Sequence, residues 1–257
     1  MTDYGVDVLA FGPHPDDVEL FCGGTVIRLG ELGHTTAVCD LTRGEKASHG
    51  TPEERARETE AASAELGLAF RDQIGLPDTE LAAVPAQIAR VVEVLRRRRP
   101  EIVLAPWIED RHPDHAAAGA LVARAVMFAG VRNYAPDAGP RFAPRQLLYY
   151  ALRHRMPPSF IVDTSAAAVR KARAIACYAS QLQRRAGAGP GDADPTLISA
   201  PGAIAAIEAR DRYYGSMIGT RCGEPLRNPA VLGMVDPVRH FRDNPFTEAH
   251  AFEPLVP

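Results

Sequence analysis

The sequence predicts an α/β fold: a mainly parallel sheet with helices on both faces, in a single domain spanning residues 1–257. Three observations carry this expectation. Short apolar runs of strand length alternate along the chain with segments of helical periodicity. Gly and Pro punctuate the junctions between them. The chain has 257 residues, 46% of them hydrophobic and 24% charged, which is the length and balance of a globular protein with a sizeable core.

The elements follow in order. Val6–Phe11 is an apolar run ending at Gly12-Pro13 and reads as a strand buried on both faces. Val18, Phe21, Val26, Leu29 and Leu32 then recur at mostly helical spacing from about Asp17 to Leu32. Gly23-Gly24 lie inside that helix, each costing roughly 1 kcal/mol relative to Ala, so either the backbone packs closely there or the helix starts late. Thr35–Leu41 is a second, β-branched strand, and the polar stretch Thr42–Gly50 is a loop. Thr51-Pro52-Glu53-Glu54 is a helix start with a capping Thr, Pro at the first position and a Glu that completes a capping box; this helix ends at Gly67. Leu76-Pro77-Asp78 is a turn. Ile88–Arg99 is helical, its basic run Arg96–Arg99 reading as a solvated helix end, and Pro100 stops it. Glu101–Ala105 is a third strand and Asp114–Phe128 a helix. Leu147–Leu152 and Phe160–Val162 read as strands, and Ser165–Gln181 and Ala203–Tyr214 as helices. The segment near 184–200, with Gly187-Ala188-Gly189-Pro190-Gly191, is expected to be a mobile loop.

Composition narrows the function. Lys and Arg number 29 against 32 Asp and Glu, a net charge of −3, so no nucleic-acid surface is expected. No apolar run approaches the roughly 20 residues of a membrane span. The first residues carry acids rather than a basic region, unlike a secretory signal. Cys22, Cys39, Cys177 and Cys222 are scattered, without a C-x-x-C pair, which favours a reduced, cytoplasmic setting.

Two segments carry chemistry. Pro13-His14-Pro15-Asp16-Asp17 follows the first strand, and Asp110-Arg111-His112-Pro113-Asp114-His115 follows the third. Each alone reads as a turn whose Asp caps the next helix. In an open parallel sheet, however, ligands bind at the carboxyl ends of strands, where both segments lie. Histidine with carboxylate suits Zn²⁺, which in catalytic sites takes three protein ligands and keeps one position open. Adjacent acids such as Asp16 and Asp17 can divide the work, one holding metal and one acting as base.

These residues carry a resemblance. The string Ala10-Phe11-Gly12-Pro13-His14-Pro15-Asp16-Asp17-Val18-Glu19, followed by Gly23-Gly24-Thr25, resembles the opening of the PIG-L/LmbE-like family of zinc-dependent N-acetylglucosaminide deacetylases. Ala105-Pro106 through His115 resembles the family's other metal motif, and Thr42-Arg43-Gly44-Glu45, Leu76-Pro77-Asp78, Tyr178-Ala179-Ser180-Gln181 and Glu208-Ala209-Arg210 match further. The resemblance spans nearly the whole chain and is nearest to the bacillithiol-biosynthesis branch, which deacetylates N-acetylglucosaminyl malate. The chain departs from it at Arg184–Pro195.

The resemblance implies a Rossmann-like, LmbE-like fold. It implies His14, Asp17 and His115 as zinc ligands, Asp16 as general base, and His112 at the oxyanion and leaving group. Zinc lowers the pKa of its bound water to roughly 7 and polarises the amide carbonyl; Fe²⁺ or Co²⁺ suits the same ligands. Asp114 either orients His112 or caps the next helix. Arg55 is a candidate contact for a sugar or malate oxygen, with a solvated surface arginine as the alternative, and Asp78 and Glu45 are candidates for substrate contacts, with turn and loop roles as the alternatives. A homo-oligomer, commonly a hexamer, is implied as well. Other N-acetylglucosaminides, an inositol conjugate or a chito-oligosaccharide, are the alternative substrates. A non-catalytic nucleotide or sugar binder is disfavoured, since the first strand leads into Gly-Pro-His-Pro-Asp-Asp rather than G-x-G-x-x-G. A two-carboxylate glycosidase leaves the histidines unexplained.

Overall fold

The computed structural model describes residues 5–182 and 198–243. Except for 198–200, the expected mobile loop lies outside them.

Five parallel strands form the body of one seven-stranded sheet: β1 (Val6–Gly12), β2 (Thr36–Asp40), β3 (Phe70–Gln73), β4 (Pro100–Pro106) and β5 (Gln146–Tyr150). With β6 (Phe160–Asp163) and β7 (Gly223–Arg227), the spatial order is β3-β2-β1-β4-β5-β7-β6, and β7 runs antiparallel to both its neighbours. The helices are α1 (Asp17–Phe21), α2 (Gly23–Glu31), α3 (Pro52–Leu66), α4 (Pro85–Arg98), α5 (Pro113–Ala129), α6 (Ala168–Ala176), α7 (Ala179–Leu182), α8 (Ala203–Met217) and α9 (Pro237–Asp243).

The sheet has a core on each face, because side chains alternate along its strands. Leu9 and Phe11 of β1 pack with Val91, Leu95, Leu121 and Val122 of α4 and α5. Val8 and Ala10 pack on the other face with Val18, Val26, Leu66 and Ile207. The strand is therefore buried on both sides, as its unbroken apolar run predicts. The capping box of α3 also forms: Thr51 Oγ1 accepts from the Glu54 amide (3.1 Å), and Glu54 Oε2 accepts from the Thr51 amide (2.9 Å). A left-handed Gly67 (φ 71°) ends that helix. No described helix is long and apolar enough to cross a membrane.

The structure departs from the expectations at five places. The helix expected over 17–32 breaks at Cys22 into α1 and α2. The cause is distant in sequence: Glu224 accepts from the Gly24 and Thr25 amides (2.9 and 2.6 Å), capping α2 with a buried carboxylate that Lys171 neutralises at 2.7 Å. A Cβ on Gly24 would lie 2.9 Å from Glu224 Oε1, so both the late start and the close packing occur. The helix expected over 165–181 breaks at Tyr178, which is buried and donates to Glu19 Oε1 (3.0 Å). Two strands escape the sequence patterns. β3 is polar, and its Arg71 is drawn inward by Asp40 and Glu19. β7 contains Gly, Glu and Pro, which strands disfavour; its Pro225 lies beyond the two β5–β7 pairs, where the missing N–H costs nothing in that ladder.

The basic run is a solvated face only in part: Arg97 is exposed, while Arg98 and Arg99 are half-buried. Arg96 is buried, and its guanidinium donates to the carbonyls of Phe128, Ala129, Val131, Ala135 and Gly139, closing the carboxyl end of α5. Arg98 pairs with Asp72 and covers the Phe70 ring at 4.0 Å.

Candidate metal centre

The strand order reverses between β1 and β4, and the crevice outside their carboxyl ends is where an open α/β sheet binds ligands. Four connections converge there: 13–16 after β1, 41–51 after β2, 74–84 after β3 and 107–112 after β4. They line a cleft of about 600 Å³ whose walls include His14, Asp16, Asp17, His112 and His115.

His14, Asp17 and His115 come together with one donor atom each, all within 4.8 Å of one another. His14 Nδ1 lies 3.2 Å from Asp17 Oδ2, and His115 Nε2 lies 3.4 Å from Asp17 Oδ1. The opposite nitrogen of each ring faces a carboxylate. His115 Nδ1 is 3.2 Å from Asp110 Oδ1, while His14 Nε2 is 3.2 Å from Asp78 Oδ1 and 3.4 Å from Asp114 Oδ2. Two imidazoles and a carboxylate, each ring backed by an acid, are a donor set suited to zinc. A second trio, His14 with Asp78 and Asp114, is equally close. Both oxygens of Asp114 are held by backbone amides, those of Thr79 and Leu81, while Asp78 and Asp17 each give one oxygen to an amide, of Lys46 and of His14.

Asp16 sits beside the first trio without joining it. Its backbone is left-handed (φ 116°), a conformation that costs a non-glycine residue roughly 1–3 kcal/mol. It stands at the N-cap position of α1, yet its side chain makes no capping hydrogen bond. The carboxylate instead meets Arg55 Nη2 at 3.1 Å, and that guanidinium is fixed by the Pro15 carbonyl at 2.6 Å.

Charge and burial separate the two adjacent acids. Burial pushes Asp16 up to about 7, with the negative charges of Asp17 and Glu19 adding to the effect and Arg55 opposing it. For Asp17, burial is outweighed by His115 and His14, which hold it down at about 2. Burial is likewise outweighed at Asp78, held at about 2 by the His14 hydrogen bond and the Lys46 amide. His112 is lowered by its burial and by the positive charges of His115 and His14. These shifts belong to the metal-free chain; a divalent cation among the ligands favours ionised Asp16 and neutral His14.

The remaining expected residues are placed as follows. His112 stacks on His115 (ring centroids 4.5 Å apart), and its Nδ1 accepts from the Asp114 amide (3.3 Å), which leaves Nε2 as the protonated nitrogen of the neutral ring. No hydrogen bond links the Asp114 carboxylate to the His112 ring; Asp114 faces His14 instead. Arg55 is buried against Asp16, although its Nη1 has no partner. Glu45 accepts from the amides of Asp78 (2.9 Å) and Arg43 (3.2 Å).

Sequence reasoning gave no role to Asp110 or to Arg111 and Arg153. Asp110 accepts from the amides of His112, Arg153 and His154, tying the two loops that follow β4 and β5. It is visible inside the quoted motif; only its partners require the fold. Arg111 and Arg153 are exposed on the cleft wall, and among the described residues neither guanidinium has a hydrogen-bond or ion-pair partner. The Arg153 guanidinium reaches to 5.9 Å from the centre of the Phe21 ring, and this partial withdrawal from water, with the neighbouring charge of Arg111, lowers its pKa.

Known proteins share this arrangement of sequence and fold. Residues 9–126 match the PIG-L family, described as GlcNAc-PI de-N-acetylase. Diacetylchitobiose deacetylase of Thermococcus kodakarensis is 30% identical over 245 residues, covering 91% of this chain and 87% of the relative. The 2'-N-acetylparomamine deacetylase of Streptomyces fradiae is 30% identical over 203 residues, 67% of this chain and 72% of the relative. Among solved structures, the conserved protein TT1542 of Thermus thermophilus superposes with a TM-score of 0.78 at 41% identity, covering 89% of this chain and 97% of that one.

Proposed function

The chain belongs to the PIG-L/LmbE-like family, and from that premise we propose that it is a metal-dependent hydrolase that removes the N-acetyl group of an N-acetylglucosaminide. The observation that carries the reading is the separation of roles at the floor of the cleft. A two-histidine, one-aspartate donor set lies beside a second aspartate that is buried, off the donor set and clamped by Arg55.

His14, Asp17 and His115 would hold the metal, zinc being the ion best suited to them, with Fe²⁺ or Co²⁺ able to use the same donors. Bound there, zinc supplies Lewis acidity, activating water near neutral pH and polarising the acetamide carbonyl. Asp16 takes the proton of the attacking water, and Arg55 holds the Asp16 carboxylate in place. His112 donates from Nε2 to the developing oxyanion. Asp16 or His112 then delivers the proton that lets the amine depart. The first trio is preferred to the second because it brings two imidazoles to one carboxylate, and because both oxygens of Asp114 are occupied by amides whereas Asp17 keeps Oδ1 free of them.

The relative matched over most of both chains, a diacetylchitobiose deacetylase, favours an N-acetylglucosamine disaccharide such as diacetylchitobiose as substrate. A second reading has one specific observation behind it. Arg111 and Arg153 on the cleft wall, which have no acidic partner among the described residues, suit an anionic aglycone, as in the N-acetylglucosaminyl malate of bacillithiol biosynthesis. Acetate release from the two substrates by the zinc-loaded protein separates the readings. We expect turnover of diacetylchitobiose, with Arg153→Met changing its kcat/KM by less than about threefold. If the malate conjugate is the substrate, the same substitution lowers its kcat/KM roughly tenfold or more, the worth of one charged hydrogen bond. Silence on both substrates overturns these two assignments, and silence on the inositol conjugate as well overturns the N-acetylglucosaminide reading.

A further inference from the structure

The segment Tyr178-Ala179-Ser180-Gln181 supplies no donor to the metal centre, and the fold divides its residues between the interior and the cleft. Tyr178 is buried and its hydroxyl is taken by Glu19, whereas Gln181 stands on the cleft wall. We propose that Gln181 is a substrate-binding residue whose side-chain oxygen accepts a hydrogen bond from a hydroxyl of the sugar; this rests on the N-acetylglucosaminide reading above.

The neighbours of the Gln181 amide fix which way round it lies. Nε2 donates to the His49 carbonyl at 2.7 Å and to Ser180 Oγ at 2.9 Å. A carbonyl only accepts, and the Ser180 hydroxyl gives its own proton to Glu58 Oε2 at 2.7 Å, so the nitrogen must face both. Oε1 is the atom left over, and no group among the described residues donates to it. Gln181 is only 6% exposed, yet Oε1 is not sealed by the protein, and the residue borders the cleft. A nearly buried acceptor calls for a donor. A neutral amide oxygen suits a hydroxyl and disfavours a carboxylate, which has no proton to give.

The place of Gln181 is set before a substrate arrives. Glu58 accepts from the Ser180 amide at 2.7 Å as well as from its hydroxyl, which ties α7 to α3, the helix that carries Arg55. The loop after β2 is fitted to α7 as well. Gly50 is left-handed (φ 78°), and a Cβ there would lie 2.7 Å from Ser180 Oγ, so the absence of a side chain at position 50 is what lets the His49 carbonyl approach Gln181. With Nε2 fastened, the Gln181 side chain has little rotamer freedom left to lose when a ligand binds, and its oxygen is a fixed acceptor.

Touching the sugar and merely fastening the loop at His49 are separated by pairing protein variants with substrate variants. Zinc content and acetate release are measured for the wild type, Gln181→Met and Gln181→Ala, on diacetylchitobiose and on analogues that each lack one hydroxyl of either sugar. If the wild type turns over only the malate or the inositol conjugate, analogues of that conjugate take their place. Gln181→Met is expected to keep its zinc and to lower kcat/KM on the full substrate about 5- to 15-fold, the loss of one neutral hydrogen bond that leaves its partner unpaired. One analogue should lose a similar factor with the wild type, and the wild type and Gln181→Met should then turn it over within about twofold of each other, because the bond is already missing. Gln181→Ala carries the same test if the methionine variant does not fold. A loss of equal size on every analogue makes Gln181 a fastening for the loop and overturns the proposal, as does a kcat/KM that neither substitution changes. A wild type that turns over none of these N-acetylglucosaminides overturns the reading above and the proposal with it, whereas turnover without the paired loss overturns the proposal alone.

Discussion

Asp16→Asn is expected to leave one zinc bound per chain while kcat falls by roughly 10³-fold, within the range that general acid–base groups contribute. The substitution keeps the shape of the side chain, and Asn is among the residues that tolerate the left-handed backbone found at position 16. The amide oxygen can still accept from Arg55, so the clamp on the Pro15 carbonyl should survive. What disappears is the capacity to take a proton. The adjacent acid, Asp17, cannot substitute, because its carboxylate faces His14 and His115 as a member of the proposed ligand set. Metal analysis with steady-state acetate release reads both quantities on one preparation. Loss of zinc from Asp16→Asn makes Asp16 a ligand, and a kcat within tenfold of wild type removes it from proton transfer.

His115→Ala has the larger effect on the metal. It is expected to purify with little zinc and to lose activity by at least about 10³-fold, as the several kcal/mol of Lewis-acid stabilisation go with the ion. His115 is held from two sides, by Asp17 at Nε2 and by Asp110 at Nδ1, and its neighbour His112 stacks on it. The loss should therefore be specific to the metal: His14 and Asp17 keep their mutual contact, and the apolar cores on the two sheet faces do not include residue 115. A His115→Ala protein that retains zinc at full occupancy contradicts the ligand set.

The parts of the fold that were legible in the sequence are those with local causes. β1 announces itself by an unbroken apolar run, and α3 by Thr51, Pro52 and Glu54 at its start and Gly67 at its end. The break at Cys22 was not legible, because the carboxylate that caps α2 arrives from Glu224, about 200 residues away. The same applies to Tyr178, whose hydroxyl is claimed by Glu19. β7 defies strand propensity because it is an inserted antiparallel strand whose place is set by β5 and β6.

The site divides along the same line. The chemistry of His14, Asp16, Asp17, His112 and His115 is visible as two short His-Pro-Asp segments, and strand alternation alone places both at carboxyl ends of the sheet. The partners of Asp78, Asp114, Glu45 and Arg55 are not visible, since each depends on which loop lies opposite. Thus Asp114, two residues from His112 in sequence, faces His14 instead. Arg55, expected toward substrate, is lodged on the Asp16 carboxylate.

The most direct test of a metal-dependent N-deacetylase is acetate release from diacetylchitobiose by one preparation of the wild-type protein as purified, after chelation and dialysis, and after zinc is returned. The account predicts that chelation abolishes release and that about one equivalent of zinc per chain restores it. Release that survives complete removal of metal, or its absence from a folded protein carrying one zinc per chain, would contradict it.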